Sequence, residues 1–213
     1  MAETIAGIRI PDSAIARAAT ELVRDTEDDL LYHHSRRVFL WGALTGGRRG
    51  LDYDPELIYL GAMFHDMGLT QSYASPDLRF EVDGANAARA FMKSYGVGER
   101  DIEDVWTAIA LHTTPGIPEH MRPTVALVTA GVEMDVLGMA FHDFTHDQRE
   151  HVCRHHPREP DFKESIIDHF ADGIRHKPLT TLGNVKADVL ALKDPDYKRM
   201  NFCSIIFNSA WPN

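Results

Sequence analysis

Cysteine is scarce in this chain, which has only 2 in 213 residues. Cys153 and Cys203 lie far apart and form neither a disulfide pattern nor a metal-ligand pattern, so we expect a reducing, cytoplasmic location. Long apolar runs are also absent, since none approaches the ~20 residues that a membrane-spanning helix needs. The first residues lack a basic start followed by an apolar core, so the sequence predicts no secretory signal.

An excess of basic residues is missing as well. The chain has 22 Lys and Arg against 32 Asp and Glu, which gives a formal net charge of -10. Because phosphate groups bind to basic surfaces, we do not expect nucleic acid as a partner. The sequence contains no Gly-x-x-x-x-Gly-Lys phosphate loop either. A small-molecule substrate is therefore the expected partner.

Strand signals are nearly absent, because no sustained alternation and no hairpin turn between β-branched runs occurs. Helical periodicity covers most of the chain instead. Start and stop signals indicate where the helices lie. The predicted helices begin after Ser13, run over 29–44, 54–68, 83–95 and 99–112, begin after Pro123 and at Thr145, run over 162–176, and follow Asn184.

This pattern predicts one all-α domain over residues 1–213. Its motif-bearing core would cover about 29–140, with C-terminal helices at about 145–213 packing on that core. Without long heptads, a compact bundle of orthogonally packed helices is favoured over a plain four-helix bundle. The apolar segment 201–211 is expected either to pack back on the core or to join two copies in a homo-oligomer.

The most informative motif is a pair of adjacent metal-ligand side chains after a strongly apolar run. The run covers residues 57–64 and stops at His65-Asp66-Met67-Gly68. Burying an unpaired carboxylate in an apolar environment is costly unless a cation or hydrogen bonds compensate it. A divalent metal ion would supply that compensation directly.

One histidine of the second predicted helix falls on a face that should be buried. His34 shares a helical stripe with Trp41, and so it should point inward. His33 lies about 100° away around the helix. It stands beside Arg36 and Arg37, and we expect it to be solvated.

A distant aspartate passes the same test. Asp135 lies late in an apolar helix, and no basic residue occurs between Arg122 and Arg149. A buried carboxylate without a local cation needs a metal ion or a network of donors.

Four side chains thus form a candidate metal-ligand set, namely His34, His65, Asp66 and Asp135. Two imidazole nitrogens and two carboxylate oxygens suit one divalent ion, with Zn²⁺ our first expectation and Fe²⁺, Mn²⁺, Ni²⁺ or Co²⁺ as alternatives. Such a set leaves positions open for water and substrate. The competing interpretation is that each residue is a separate core polar group satisfied by hydrogen bonds.

A histidine, a later His-Asp doublet and a distant aspartate in an all-helical chain resemble the HD-domain superfamily of metal-dependent hydrolases. The motifs run from His34 to Asp135, and the HDMG segment is the most specific part. The resemblance implies a compact bundle of helices with the metal at its centre.

The chain departs from the relatives that bind two metals. Those relatives carry a further histidine at a His-Glu-x-x-Gly-Ala helix start, and the matching residues 80–85 read FEVDGA. Phe80 cannot ligate, so we favour a single metal. His112 matches a later family histidine, and the resemblance implies that it faces substrate or donates to a metal ligand. The alternative for His112 is an ordinary helix-terminal histidine.

Further departures narrow the branch of the superfamily. The 5′-nucleotidase branch places a glutamate where this chain has Leu69, and the cyclic-dinucleotide phosphodiesterase branch places a lysine there. Arg79 is the only cation near Glu81 in the sequence, so the pocket is predicted to suit a polyanionic phosphate poorly. The segment RFEVDGA at 79–85 resembles the cyanamide hydratase branch. That resemblance implies a small neutral substrate that is cyanamide-like, nitrile-like or amide-like.

The expected chemistry is attack by metal-activated water. Glu81 would act as a proton shuttle or hydrogen-bond acceptor, or would only cap the helix that starts near Asp83. Thr113 would orient substrate, or merely end a helix before Pro115. Four apolar residues are predicted to wall the pocket, although residues at this spacing are also typical of plain core. They are Met63, Phe64, Phe80 and Trp106.

Two rival functions remain at this point. One is a phosphohydrolase that acts on a nucleotide or another small phosphate ester. The other is a relative outside hydrolysis, either a di-iron oxygenase or a non-catalytic binding module.

Overall fold

The computed structural model describes residues 3–208, and this part of the chain is almost entirely helical. The expected all-α fold is confirmed. A two-stranded antiparallel hairpin, β1 Thr4–Ile5 and β2 Ile8–Arg9, precedes the helices. The helices are α1 Ala14–Thr26, α2 Asp29–Arg49, α3 Pro55–Phe64, α4 Phe80–Ser94, α5 Glu99–Leu111, α6 Pro123–Val132, α7 His146–His155, α8 Phe162–Ile174, α9 Lys186–Lys193 and α10 Phe202–Phe207.

Two predicted helix starts are confirmed in atomic detail. Asp54 accepts a hydrogen bond from the Glu56 amide at the start of α3. Thr145 and Gln148 form the reciprocal capping box at the start of α7. The predicted end of α2 was too early, because the helix continues to Arg49 before its left-handed cap at Gly50.

Helices α2, α3 and α6 form the centre of the fold, and α2 lies unusually close to α6. A Cβ atom built at Gly131 of α6 would lie 2.1 Å from the carbonyl oxygen of Val38 in α2. That distance is far below van der Waals contact, so this crossing requires glycine. The close approach brings the chain after α6 next to the face of α2 that carries His34.

The predicted role of Gly68 as the stop of α3 is wrong. Helix α3 ends at Phe64, and Gly68 lies in a short 3₁₀ helix, Met67–Leu69. A Cβ at Gly68 would lie 2.0 Å from the carbonyl oxygen of Phe80. Glycine is needed there because the first residue of α4 crosses directly over this turn. Helix α4 therefore begins at Phe80, three residues before the start that the sequence predicted.

The C-terminal helices pack on the motif-bearing core. Phe162 and Ile166 of α8 form an apolar cluster with Leu31 of α2. Ile174 and Leu190 form a second cluster with Phe80 of α4. Two helices later in the chain, α8 and α9, therefore cover the region around the His-Asp doublet.

The last described helix, α10, has no buried residue, so residues 201–208 do not pack into the core as one expectation had it. The remaining residues of that predicted segment, 209–211, lie outside the described part of the chain. Within residues 3–208, no helix has both the length and the apolar character needed to cross a bilayer.

Candidate metal centre

Three of the four predicted ligands meet in the interior. His65 and Asp66 follow the last residue of α3, while His34 projects from α2, and all three are fully buried. The Nε2 atoms of His34 and His65 are 3.2 Å apart. One Asp66 oxygen, Oδ2, lies 3.2 Å from His65 Nε2 and 3.6 Å from His34 Nε2. These three side chains are close enough to hold one ion between them.

The hydrogen bonds at Nδ1 of His65 and His112 show which nitrogen of each imidazole ring carries the proton. Nδ1 of His65 lies 2.7 Å from the Ala62 carbonyl oxygen, and Nδ1 of His112 lies 2.6 Å from that of Ile109. A carbonyl oxygen only accepts hydrogen bonds, so each Nδ1 carries the proton and donates it. In its neutral form, the form that binds a metal ion, each ring presents a lone pair at Nε2, the atom that faces Asp66.

The centre therefore collects acceptors with no donor between them. In the described part of the chain, neither oxygen of Asp66 has a hydrogen-bond partner, and Nε2 of His112 has none either. Nε2 of His112 lies 3.7 Å from Asp66 Oδ1. When no metal ion is bound, protons on the His65 and His34 rings take the place of the cation, and their charge lowers the pKa of Asp66 below its usual range although burial opposes ionisation. A buried carboxylate surrounded by lone pairs is the donor set of a divalent cation.

The structure does not place Asp135 among the ligands, contrary to the sequence prediction. It lies on the other side of His34, whose Nδ1 is 2.7 Å from Asp135 Oδ2. Its oxygens also accept from Arg37 at 2.9 and 3.0 Å and from the Trp41 indole at 3.0 Å. Asp135 therefore orients the His34 ring and leaves Nε2 of that ring free for the metal.

The buried cation that neutralises Asp135 was missed because it is distant in sequence; a second, partly exposed cation, Arg158, lies 3.1 Å from Asp135 Oδ1. No basic residue lies near Asp135 along the chain, but Arg37 of α2 reaches it and is fully buried. The expectation that Arg36 and Arg37 mark a solvated face is wrong for the same reason. His34 and Arg37 are three residues apart and so lie on the same face of α2. That spacing is the sequence signal that both side chains could reach one partner. His33 itself is half-buried beside His156.

His112, at the C-terminal end of α5, completes the centre. Burial and the neighbouring His65 lower its pKa to about 4, so the ring is neutral near pH 7. Its Nε2 has a lone pair and no proton to donate, so His112 is an acceptor or an additional ligand rather than the donor that the sequence suggested. Phe80 packs edge-on against this ring with a centroid distance of 5.6 Å.

Glu81 occupies a buried network behind His112. Its Oε1 accepts hydrogen bonds from Lys186, from the Thr113 hydroxyl and from Arg79. Burial alone would raise the pKa of Glu81, but the Lys186 ammonium and the Arg79 guanidinium lower it to about 2. Its hydrogen-bond partners are side chains, but Glu81 also lies in the first turn of α4, where its charge meets the positive end of the helix, so the helix-start alternative still stands beside the network.

Lys186 of α9 is the functional residue that sequence reasoning missed. It is buried and donates both to Glu81 and, at 3.0 Å, to the Thr113 hydroxyl oxygen. The sequence offered no signal, because Lys186 lies more than 100 positions after Glu81. Glu81 and Thr113 are thus brought together beside His112, as predicted, by a residue from the C-terminal part of the chain.

The predicted pocket wall differs from the observed one. A cavity of about 460 Å³ is lined by His112 and Thr113, but none of the four predicted wall residues lines it. Met63 and Phe64 are core residues, and Phe64 packs on Phe91. Phe80 packs against the His112 ring and against Phe170, which itself lines the cavity. Trp106 lies near the surface, with its indole donating to Asn86.

Comparison with known families identifies the core of this arrangement. Residues 31–136 match the HD domain family, and that span includes all three clustered ligands, His112 and Asp135. The chain therefore carries an HD domain, a family made up typically of metal-dependent hydrolases. No curated protein matches the chain.

Proposed function

We propose that this chain is a metal-dependent hydrolase or hydratase that adds water to a small neutral C–N compound of the cyanamide or nitrile type. The observation that carries the proposal is the convergence of lone pairs on Asp66 in a dry interior. His34, His65 and Asp66 would hold one divalent ion, for which Zn²⁺ is our first choice. When bound, such an ion lowers the pKa of a coordinated water from ~15.7 towards ~7.

In the proposed reaction, the water oxygen bonds to the carbon of a nitrile-like group and one C–N π bond breaks. The nitrogen first takes one proton, which gives an imidic acid. The second proton then passes from oxygen to nitrogen while a C=O π bond replaces the remaining C–N π bond, and the product is an amide. Two buried acceptors beside the centre can orient the water molecule and the N–H groups that form. Nε2 of His112 and Oε2 of Glu81 both lack a hydrogen-bond partner in residues 3–208.

Thr113 supports this arrangement by holding Glu81. Its hydroxyl donates to Oε1, which leaves Oε2 as the free oxygen. The pKa of about 2 keeps Glu81 ionised at neutral pH, so we assign it as an acceptor that orients a substrate N–H group or water. A proton shuttle would need a higher pKa.

The charges near the centre favour a neutral substrate over a phosphate. Two cations close to Thr113, Lys186 and Arg79, are both bound to Glu81, and among the buried side-chain nitrogens of Arg79 only Nε remains a free donor in residues 3–208. Phosphate recognition needs cations with free donors, and clustered arginines are the usual solution. The phosphohydrolase function remains the second candidate, because it is a different reaction of the same kind of metal centre.

The test is an assay of metal-loaded protein with cyanamide, simple nitriles and nucleoside monophosphates, combined with elemental analysis. We expect one divalent ion per chain and turnover of the C–N compounds. Turnover of the nucleotides alone would replace the proposal with phosphohydrolysis. Two irons per chain would indicate the oxygenase alternative, and a chain that retains no metal would indicate a binding module.

A pair of histidine variants makes the test specific. We expect His65→Ala to lose metal and activity, because it removes one of three clustered ligands. His33→Ala is the matched control, since His33 lies on the same helix as His34 but contacts His156 instead of the centre. Wild-type metal content in His65→Ala would contradict the assigned centre.

A further inference from the structure

The cavity at His112 is far larger than a cyanamide molecule requires. Its volume is about 460 Å³. A compound with three heavy atoms fills on the order of 100 Å³, at ~30 Å³ per water-sized group. Cavities of several hundred Å³ are the usual size of sites for larger organic ligands.

The walls of this cavity are chiefly aliphatic and aromatic. Three elements contribute them: the π-helical turn after α6, helix α8, and the start of α9. The main apolar residues are Val132, Val136, Ile166, Ile167, Phe170 and Val189.

The few polar groups of the cavity are arranged by depth. His112 is buried and faces Asp66, so it marks the inner end. Lys163 and Asp188 also line the cavity, but both are exposed and therefore lie at its mouth. The half-buried Glu133 lines the cavity as well, so a ligand in this space would meet a few polar groups within walls that are chiefly apolar.

We infer that this cavity binds an apolar alkyl or aryl substituent of the substrate, so that the substrate is an aliphatic or aromatic nitrile or a substituted cyanamide rather than cyanamide itself. The inference rests on the proposed function, since it places the reacting C–N group at the His112 end. Each CH₂ group transferred from water to such a wall improves binding by about fourfold. The cavity thus sets specificity by length and apolarity.

The first experiment measures kcat/KM for straight-chain nitriles from acetonitrile to hexanenitrile. We expect kcat/KM to rise about two- to fourfold with each added CH₂ until the cavity is filled. A flat or falling series would overturn the inference while leaving the proposed function intact.

Cavity-filling variants locate the effect. Ile167→Trp and Val136→Trp place an indole in the space, so both should lower kcat/KM for hexanenitrile more than kcat/KM for acetonitrile and thereby lose the chain-length preference. Leu192→Trp is the control, because Leu192 lies on α9 but is 68% exposed and does not line the cavity. Thermal midpoint and metal content show whether each variant folds. If both filled variants keep the wild-type preference, the apolar site lies elsewhere and the inference fails.

A binding measurement separates this inference from the proposed function. N-phenyl-1-naphthylamine is a neutral apolar fluorophore that needs no turnover. We expect it to bind wild-type protein and Leu192→Trp, and to bind Ile167→Trp at least tenfold more weakly. Binding without turnover of any nitrile would support the cavity and refute the proposed reaction. Equal binding to wild-type protein and Ile167→Trp would overturn the inference.

Discussion

Asp135 and His34 show how one side chain controls the chemistry of another. The Asp135 carboxylate accepts a hydrogen bond from Nδ1–H of His34, and that hydrogen bond directs the opposite ring nitrogen, Nε2, towards the centre. Arg37 neutralises Asp135, and together with the His34 hydrogen bond it lowers the pKa of that carboxyl despite its burial. The His34 ring is thus held by a buried Asp135–Arg37 pair on the side that faces away from Asp66.

Replacement of Asp135 tests this arrangement. We expect Asp135→Asn to weaken metal binding by about 10–100-fold, because loss of an outer partner of a ligand has that effect. It should also destabilise the fold by about 3–5 kcal/mol, since Arg37 is left buried without its counterion. Chelator competition and urea unfolding measure the two effects.

The matched control is Asp143→Asn. Asp143 pairs with Arg48 on the surface, and its side chain is 56% exposed, so its loss should change neither quantity appreciably. Complete loss of metal in Asp135→Asn would mean instead that Asp135 is itself a ligand. Unchanged metal affinity in Asp135→Asn would show that Asp135 does not support metal binding through His34.

At the scale of elements, helix α9 is joined to the site by one buried lysine. Lys186 donates to Glu81, at the start of α4, and to Thr113, just after the end of α5. Burial lowers the pKa of Lys186, while the Glu81 carboxylate counteracts this effect. The three side chains form a unit in which each needs the others to remain satisfied.

We expect Lys186→Met to destabilise the protein by about 3–5 kcal/mol near pH 7, as for other broken buried pairs. The native pKa of Glu81, about 2, lies below the unfolded value of ~4.3. Its contribution is therefore fully present above pH ~4.3 and is lost as the pH falls towards 2. Urea unfolding across this range should show the wild-type advantage shrinking at low pH.

Lys193→Met is the control for this prediction. Lys193 lies on the same helix and pairs with Glu164 and Asp168, both of which are more than half exposed. Exposed pairs of this kind contribute at most about 1 kcal/mol. If the two variants lose equal stability, the buried contacts of Lys186 with Glu81 and Thr113 stabilise the fold no more than an exposed ion pair does.

At the scale of the whole molecule, the centre is enclosed by helices from both ends of the described chain. The family match ends at residue 136, but the C-terminal helices cover His34 and Phe80 from outside. Phe162 of α8 stacks near the His34 ring at a centroid distance of 5.9 Å. Metal binding should therefore stabilise more than the HD segment.

Hydrogen exchange with and without Zn²⁺ tests this coupling. We expect metal to slow amide exchange in α2 and at the end of α3, and also in α8 and α9, because opening of those helices would uncover the ligands. Helix α10 is an internal control, since it has no buried residue and should exchange equally in both states. Protection confined to α2 and α3 would show that the C-terminal helices are independent of the centre.

Much of the fold could be predicted from local pattern. The capping residues Asp54 and Thr145 were identified because a helix start depends on residues within one turn. The start of α4 was misplaced because its position depends on the close contact between Phe80 and Gly68. No local pattern reports such a contact between separate segments.

The candidate site, like the fold, could be predicted from the sequence only in part. Apolar surroundings of the doublet and the stripe on α2 were sufficient to select His34, His65 and Asp66 from twelve histidines and many carboxylates. The role of Asp135 was not predictable, because its partners Arg37 and Trp41 are about a hundred residues away. The pocket wall was assigned to the wrong residues, since the observed cavity lies between helices far apart in sequence.

The sequence by itself determined that this is a helical protein with a buried His-Asp doublet, because helix formation and burial follow from periodicity along the chain. Tertiary structure alone decided which polar groups face each other across that interior. It turned a proposed ligand, Asp135, into the support of His34 and brought Lys186 to Glu81. The physical reason is that charge compensation acts through space over a few ångströms, whatever the distance along the chain.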